Sequence, residues 1–205
     1  MAHLELQRLE LGPWPMNCYL LRCLVSGELA VVDPGSDAET ILEAVDHAPV
    51  RFIFLTHGHP DHIGALEAVR QATGAPVAVH PADAERFGVQ ADILLGDGME
   101  VGVGEGYVRI AHVPGHTPGS ICLRLNGQVL VGDAIFPGGP GYTASPQELT
   151  QSLDSLGQTV FTWSDATELY PGHGGHTTVQ AERAAFRRFA GTDHPADLFG
   201  DVTWG

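Results

Sequence analysis

The run Arg51 to Thr56 (RFIFLT) passes without a break into His57, Gly58, His59, Pro60, Asp61 and His62. Three imidazoles and one carboxylate in so short a span are hard to explain without a metal ion, so the fold must be one that delivers this cluster to a single place. The apolar run, bounded by Pro49 and by the histidines, reads as a central strand buried on both faces. His57 and His59 then sit just past the strand end. In extended chain, residues two apart point to the same side, so these side chains converge, and Gly58 between them adds no bulk. Asp61 and His62 open a helix whose start aims them back toward the same place. Each neutral imidazole offers a lone pair, and the carboxylate adds the negative charge that a divalent cation needs.

More distant donors complete the shell. Tyr107 to Val113 reads as a strand followed by the loop Pro114 to Gly119, from which His116 projects. Gln128 to Val131 reads as a buried strand paired with Ile121 to Leu125 through Asn126 and Gly127, a dipeptide suited to a tight hairpin. Gly132 and Asp133 end that strand. Leu169 and Tyr170 close a short strand before Pro171, Gly172, His173, Gly174 and Gly175. Asp133 alone would read as a turn residue or helix cap. Repeated three times, however, the strand-then-donor arrangement places functional side chains where a rigid scaffold presents them.

These segments carry a resemblance. THGHPDH (Thr56–His62), PGHTPGS (Pro114–Ser120), VGD (Val131–Asp133) and PGHG (Pro171–Gly174) resemble the ordered signature of the metallo-β-lactamase-fold hydrolases, and VVDPG (Val31–Gly35) resembles the strand and turn that family places before its first helix. The resemblance spans nearly the whole chain. It implies that His57, His59 and His116 hold one metal, that Asp61, His62 and His173 hold a second, and that Asp133 bridges both. The implied cofactor is two divalent ions, usually zinc in this family, with iron and manganese among close relatives; an imidazole and carboxylate shell suits all three. Two such ions share a water whose pKa falls toward 7, which supplies a nucleophile without Ser or Cys.

Within that family the secreted antibiotic-degrading branches carry cysteine or serine in place of the bridging aspartate, whereas Asp133 is present here. The complete set of seven ligands looks most like the glyoxalase II group, which implies hydrolysis of a thioester such as an acyl-glutathione, with a lactonase or other ester hydrolase on the same site, or a mononuclear iron persulfide dioxygenase, as the alternatives. The longer glyoxalase II enzymes add a helical C-terminal extension with basic contacts to glutathione, but only residues 174–205 follow the last ligand, enough for about one helix. The chain therefore resembles the short members. Persulfide dioxygenases of this fold use a single iron and carry an arginine in the region of Phe136 to Tyr142 (FPGGPGY), where none is present. Tyr142 is either an exposed loop residue or a phenol placed to hydrogen-bond an oxyanion. Asp61, Asp133 and Tyr142 are thus the candidate catalytic residues.

Composition narrows the class further. With 205 residues and 43% hydrophobic content, the chain can build one sizeable core, and the expectation is a single domain spanning 1–205. A net charge of −15, from 25 acids against 10 bases, repels phosphate backbones and argues against the nucleases of this fold. No apolar run approaches the roughly 20 residues that cross a bilayer. The expected partner is a small-molecule thioester or ester, with neither nucleic acid nor membrane. MAHLELQRLELGPW lacks the basic start and long apolar run of an export leader, and Cys18, Cys23 and Cys122 are odd in number without paired spacing. Together they suggest packed, reduced thiols in a cytoplasmic protein.

The layout of elements agrees with the family architecture. Leu4 to Leu9, Asn17 to Val25 and Leu29 to Val32 read as strands before a first helix, for which Ser36 and Glu39 form a capping box with Ile41, Leu42 and Val45 facing inward. Ser145, Pro146 and Glu148 repeat the device ahead of core leucines Leu149, Leu153 and Leu156. Thr178 to Ala190 reads as the last helix, with Val179, Phe186, Phe189 and Ala190 on one face and Arg183, Arg187 and Arg188 on a solvated one. Strands in two groups separated by helices imply an α+β fold of two packed sheets covered by helices, and the resemblance specifies the four-layer αββα sandwich. His112, His176 and His194 stay ambiguous, with His176 near enough in sequence to His173 to reach the pocket rim.

Overall fold

The computed structural model describes residues 4–13 and 15–205; residues 1–3 and 14, part of the stretch read for a leader, lie outside the described residues. The chain opens with three antiparallel strands, β1 (Leu4–Leu11), β2 (Met16–Cys23) and β3 (Leu29–Val32). Helix α1 (Ala38–Val45) then crosses over to β4 (Val50–Phe54), which lies parallel to β3. The short α2 (Pro60–Ile63), α3 (Leu66–Thr73), β5 (Val77–Val79), α4 (Pro81–Phe87) and β6 (Ile93–Leu94) complete a six-stranded sheet in the order β1-β2-β3-β4-β5-β6.

The second half is a meander, β7 (Glu100–Val103), β8 (Gly106–His112), β9 (Ile121–Arg124) and β10 (Gln128–Gly132), followed by the hairpin β11 (Ile135–Phe136) and β12 (Gly139–Pro140). Helix α5 (Pro146–Gln158) and a 3₁₀ turn at Val160–Thr162 lead to β13 (Glu168–Pro171), β14 (Thr177–Thr178) and α6 (Val179–Ala190). The second sheet runs β14-β13-β10-β9-β8-β7, with β13 parallel to β10.

Alternation along the strands builds the layers. In β3, Ala30 and Val32 face the second sheet, meeting Val108, Ile110, Ile121, Leu123 and Leu130, while Leu29 and Val31 face Ile41, Val45 and Val69 of the helices. Strand β3 is therefore apolar and buried on both faces. Across the second sheet, Val129, Val131 and Leu169 pack on Leu156, Val179 and Phe186. Helices α1 and α3 cover one sheet and α5 and α6 the other, giving the αββα sandwich that the resemblance implies.

The hairpin expected at Asn126–Gly127 is present, with Gly127 at φ 82° and Leu125 N donating to Gln128 O at 2.8 Å. Ser145 caps α5 as expected, accepting from Glu148 N at 3.2 Å, while Glu148 Oε2 reaches back to Ala144 N at 2.7 Å. Two expectations are corrected. Ser36 does not cap α1: the helix starts after Asp37, whose left-handed backbone (φ 49°) turns the chain and whose carboxylate instead accepts from Gly12 N at 2.8 Å. Arg183 is not on a solvated face. It donates to Asp165 Oδ1 at 2.7 Å, to Trp163 O at 2.8 Å and to Phe161 O, latching α6 to the turn before β13.

All three cysteines are buried and free, Cys18 under the first helical layer and Cys122 under the second. Among the described residues no helix is long and apolar enough to cross a membrane.

Candidate metal centre

Four strand ends meet at one rim of the sandwich. β4 runs through Leu55 and Thr56 into His57; His59 is the N-cap of α2, with Pro60 at its first position fixing the turn that returns Asp61 and His62. β8 leads to His116, β10 to Asp133 and β13 to His173. Donor atoms of His57, His59 and His116 all lie within 4.8 Å of one another, as do those of Asp61, His62 and His173. His116 Nε2 is 2.8 Å from His59 Nδ1 and 3.3 Å from His57 Nε2, and His173 Nε2 is 3.1 Å from Asp61 Oδ2.

Asp133 stands between the two groups. Its Oδ1 is 3.4 Å from His62 Nε2, and its Oδ2 is 3.8 Å from His116 Nε2 and 3.7 Å from His173 Nε2. All seven residues singled out in the sequence thus come together. Tyr142 is different: its side chain is 49% exposed and it contributes its backbone carbonyl, which accepts from His116 Nδ1 at 2.8 Å.

The outward ring nitrogens fix the inward ones. Carbonyl oxygens only accept, so His116 facing Tyr142 O and His173 facing Pro15 O at 2.9 Å carry a proton on Nδ1, which leaves Nε2 as the nitrogen facing inward for a metal. His62 Nδ1 is held at 3.1 Å by Asp33 Oδ2, and His57 Nδ1 at 3.1 Å by Thr56 Oγ1. Asp33, His57 and His62 also form a close group, but both Asp33 oxygens are engaged, accepting from Thr56 N at 2.7 Å and Thr56 Oγ1 at 2.6 Å. Asp33 is therefore a support for the donors.

The electrostatics divide the cluster. Burial and the neighbouring imidazoles hold His57 well below its usual pKa, and burial with His116 also lowers His59. Burial also works against a charged His62, but the Asp133 and Asp33 carboxylates more than offset it and raise His62 to about 10. The hydrogen bond with Asp61 raises His173, and the same bond lowers Asp61. In the first group His57 and His59 are thus biased toward the neutral donor form, and in the second His62 and His173 are carboxylate-paired imidazoles whose protons a cation would displace.

The residues fit a metal. Among the described residues only three buried side-chain polar atoms lack a hydrogen-bond partner, and two of them, His62 Nε2 and Asp133 Oδ1, point into this cluster. Buried donors left unsatisfied cost about 1–3 kcal/mol each, so a group that accepts their lone pairs is the economical explanation. Gly172 lines the same space, and a Cβ there would collide with Asp133 Oδ1 and the His62 ring.

Two supports escaped the sequence reading. Asp83, fully buried at the start of α4, accepts from Gly58 N at 2.9 Å, Thr117 Oγ1 at 2.8 Å and Gly119 N at 2.7 Å, so one carboxylate pins the loops on both sides of the first donor group. Asn17 and Tyr19 of β2 pin the third loop, with Asn17 Nδ2 donating to Pro171 O and Gly174 O at 2.9 Å and Tyr19 OH donating to Pro171 O at 2.6 Å. The signal for Asp83 was an acid behind a Pro-initiated helix, which is ordinary in a first turn. The ambiguous histidines have structural contacts: His112 stacks on His80 with ring centroids 4.1 Å apart, His176 on Tyr170 at 5.3 Å and His194 on Phe189 at 4.0 Å.

Fold and donor set together define a metallohydrolase, and the chain belongs to the metallo-beta-lactamase superfamily, whose family model matches residues 11–182. It is 38% identical over 156 residues to a hydroxyacylglutathione hydrolase of Anaeromyxobacter dehalogenans, a match that covers 76% of this chain and 60% of that protein. The chain thus spans less than two thirds of that relative. Among solved structures it resembles ETHE1 from Myxococcus xanthus (TM-score 0.82, 29% identity, covering 92% of this chain and 86% of that one). It also resembles TTHA1623 in a di-iron-bound form (TM-score 0.71, 30% identity, covering 86% and 96%).

Proposed function

We propose that the protein is a two-metal thioester hydrolase of the glyoxalase II type. His57, His59 and His116 would hold one ion, Asp61, His62 and His173 the other, and Asp133 both. The observation that carries this reading is the Asp133 carboxylate, with one oxygen toward His62 and the other toward His116 and His173. A bound pair supplies a hydroxide nucleophile near neutral pH and a Lewis acid for the carbonyl and the departing thiolate. The chain's own part is to fix four imidazole tautomers through Asp33, Tyr142, Pro15 and Thr56, and to keep His57 and His62 dry while Asp61, 52% exposed, faces solvent. Similarity to a hydroxyacylglutathione hydrolase supports the thioester, and similarity to a di-iron form supports two ions, with zinc, iron and manganese all compatible with the donors.

S-lactoylglutathione assayed beside other thioesters and lactones, with metal content measured on the same sample, tests the reading. It expects thioesters to be preferred and about two ions per chain. Lactones turned over in preference would make the protein an ester hydrolase, and one iron per chain with oxygen uptake on glutathione persulfide would make it a dioxygenase. Tyr142→Phe should leave kcat/KM unchanged if Tyr142 acts only through its carbonyl; a fall of about 10-fold or more would give the phenol a role at the oxyanion.

A further inference from the structure

The last residues of the chain lie beyond the stretch matched by the family model, residues 11–182, and they return to the metal centre. Thr143 and Gly200 form an antiparallel bridge, with Gly200 N donating to Thr143 O at 3.0 Å and Thr143 N to Gly200 O at 3.3 Å. At the other end of the same loop, Trp204 N donates to Gly138 O at 3.0 Å. Trp204 is the anchor. Its buried ring packs against Phe161, Phe186 and Phe189, and its Nε1 donates to Glu182 Oε2 at 3.0 Å, the oxygen that also accepts from Gly138 N at 2.9 Å.

The loop from Gly138 to Thr143 is therefore tied down at both ends by one segment, and within it lies Tyr142 O, the acceptor for His116 Nδ1. We infer that Gly200–Trp204 is a clasp that positions His116, and through it the His57–His59–His116 donor group. This rests on the two-metal reading above. His116 sits on a loop, and its inward nitrogen stays bare and aimed only while its outward N–H has a fixed acceptor. Freed from the clasp, the Tyr142 carbonyl would move and the ring would lose both tautomer and direction. His62 and His173 take their outward partners from Asp33 and Pro15, which the clasp does not touch.

Two variants loosen the clasp from opposite sides while keeping Trp204. Gly200→Pro removes the N–H that Thr143 O accepts and cannot adopt the observed φ of 96°. In Gly139→Ala the new Cβ would run into Val202 O. Each metal-stripped protein is titrated with zinc against a chromophoric chelator, and the His116 Nδ1–H resonance of the metal-free proteins is recorded by NMR. The wild type should bind two zinc ions and show that resonance protected from exchange. In both variants one ion should keep its wild-type affinity, the other should bind about 10–100-fold more weakly, and the protection should be lost. Two unchanged affinities, or an equal fall in both, would overturn the clasp, because general destabilisation has no reason to choose one donor group. A wild type that binds fewer than two zinc ions would overturn the two-metal reading instead. The resonance would then decide the clasp alone: protection kept in the variants refutes it, and protection lost in both sustains it.

Discussion

At the scale of single residues, the centre depends on side chains that hold other side chains. Asp83 meets three donors from two loops with no solvent to replace it. Asp83→Ala should cost about 2–5 kcal/mol, read as a fall in Tm of about 2–4 °C per kcal/mol, and Asp83→Asn should be nearly as costly because its amide would face a backbone N–H. His62 gives a pH signature. Its pKa in the folded metal-stripped protein is about 10, against 6.5 when unfolded, so the stability it lends is complete below about pH 6.5 and is lost as pH rises through 10. His57 runs the other way. Held well below 6.5, it favours the fold above that pH and opposes it as pH falls. Thermal melts of metal-stripped protein should therefore show a decline between pH 7 and 10 that His62→Gln flattens; an unchanged slope in that variant would refute the assignment. The seven candidate donors were legible because each stands in a short motif at a strand end. Asp83 was not, because its partners are 25 to 36 residues away and nothing local distinguishes it from a helix-start acid.

At the scale of elements, legibility followed length. Strands of four to eight residues with clear apolar content, such as β2, β3 and β10, appear close to where their pattern puts them. β5 and β6 have only three and two residues, too few for a period to register, and the parallel neighbour supplies their order. The two capping boxes differ for a physical reason. Ser145 has an extended backbone (φ −156°) that lets its hydroxyl reach Glu148 N, whereas at α1 the left-handed Asp37 occupies the cap position and uses its carboxylate elsewhere. Ser145→Ala should consequently cost about 1 kcal/mol in a denaturant titration, and Ser36→Ala should cost nothing measurable at the cap.

At the scale of the whole molecule, two sheets of unlike topology share one buried face and bring their strand ends to one rim, so donors from residues 57 to 173 converge without any long loop between them. Two packed sheets covered by helices were legible as two groups of strands separated by helices, and the four-layer αββα order only through the family resemblance, while the return of the C-terminal segment to the candidate metal centre was not, since a bridge such as Thr143 to Gly200 leaves no trace in local sequence. The central claim is that this rim holds two ions that together make a thioester hydrolase. Its most direct test is a titration of metal-stripped protein with zinc, iron(II) or manganese(II), following S-lactoylglutathione hydrolysis against bound metal. Activity should be absent without metal and should rise to its maximum as occupancy approaches two ions per chain; full activity in metal-free protein, or a maximum already reached at one ion, would contradict it.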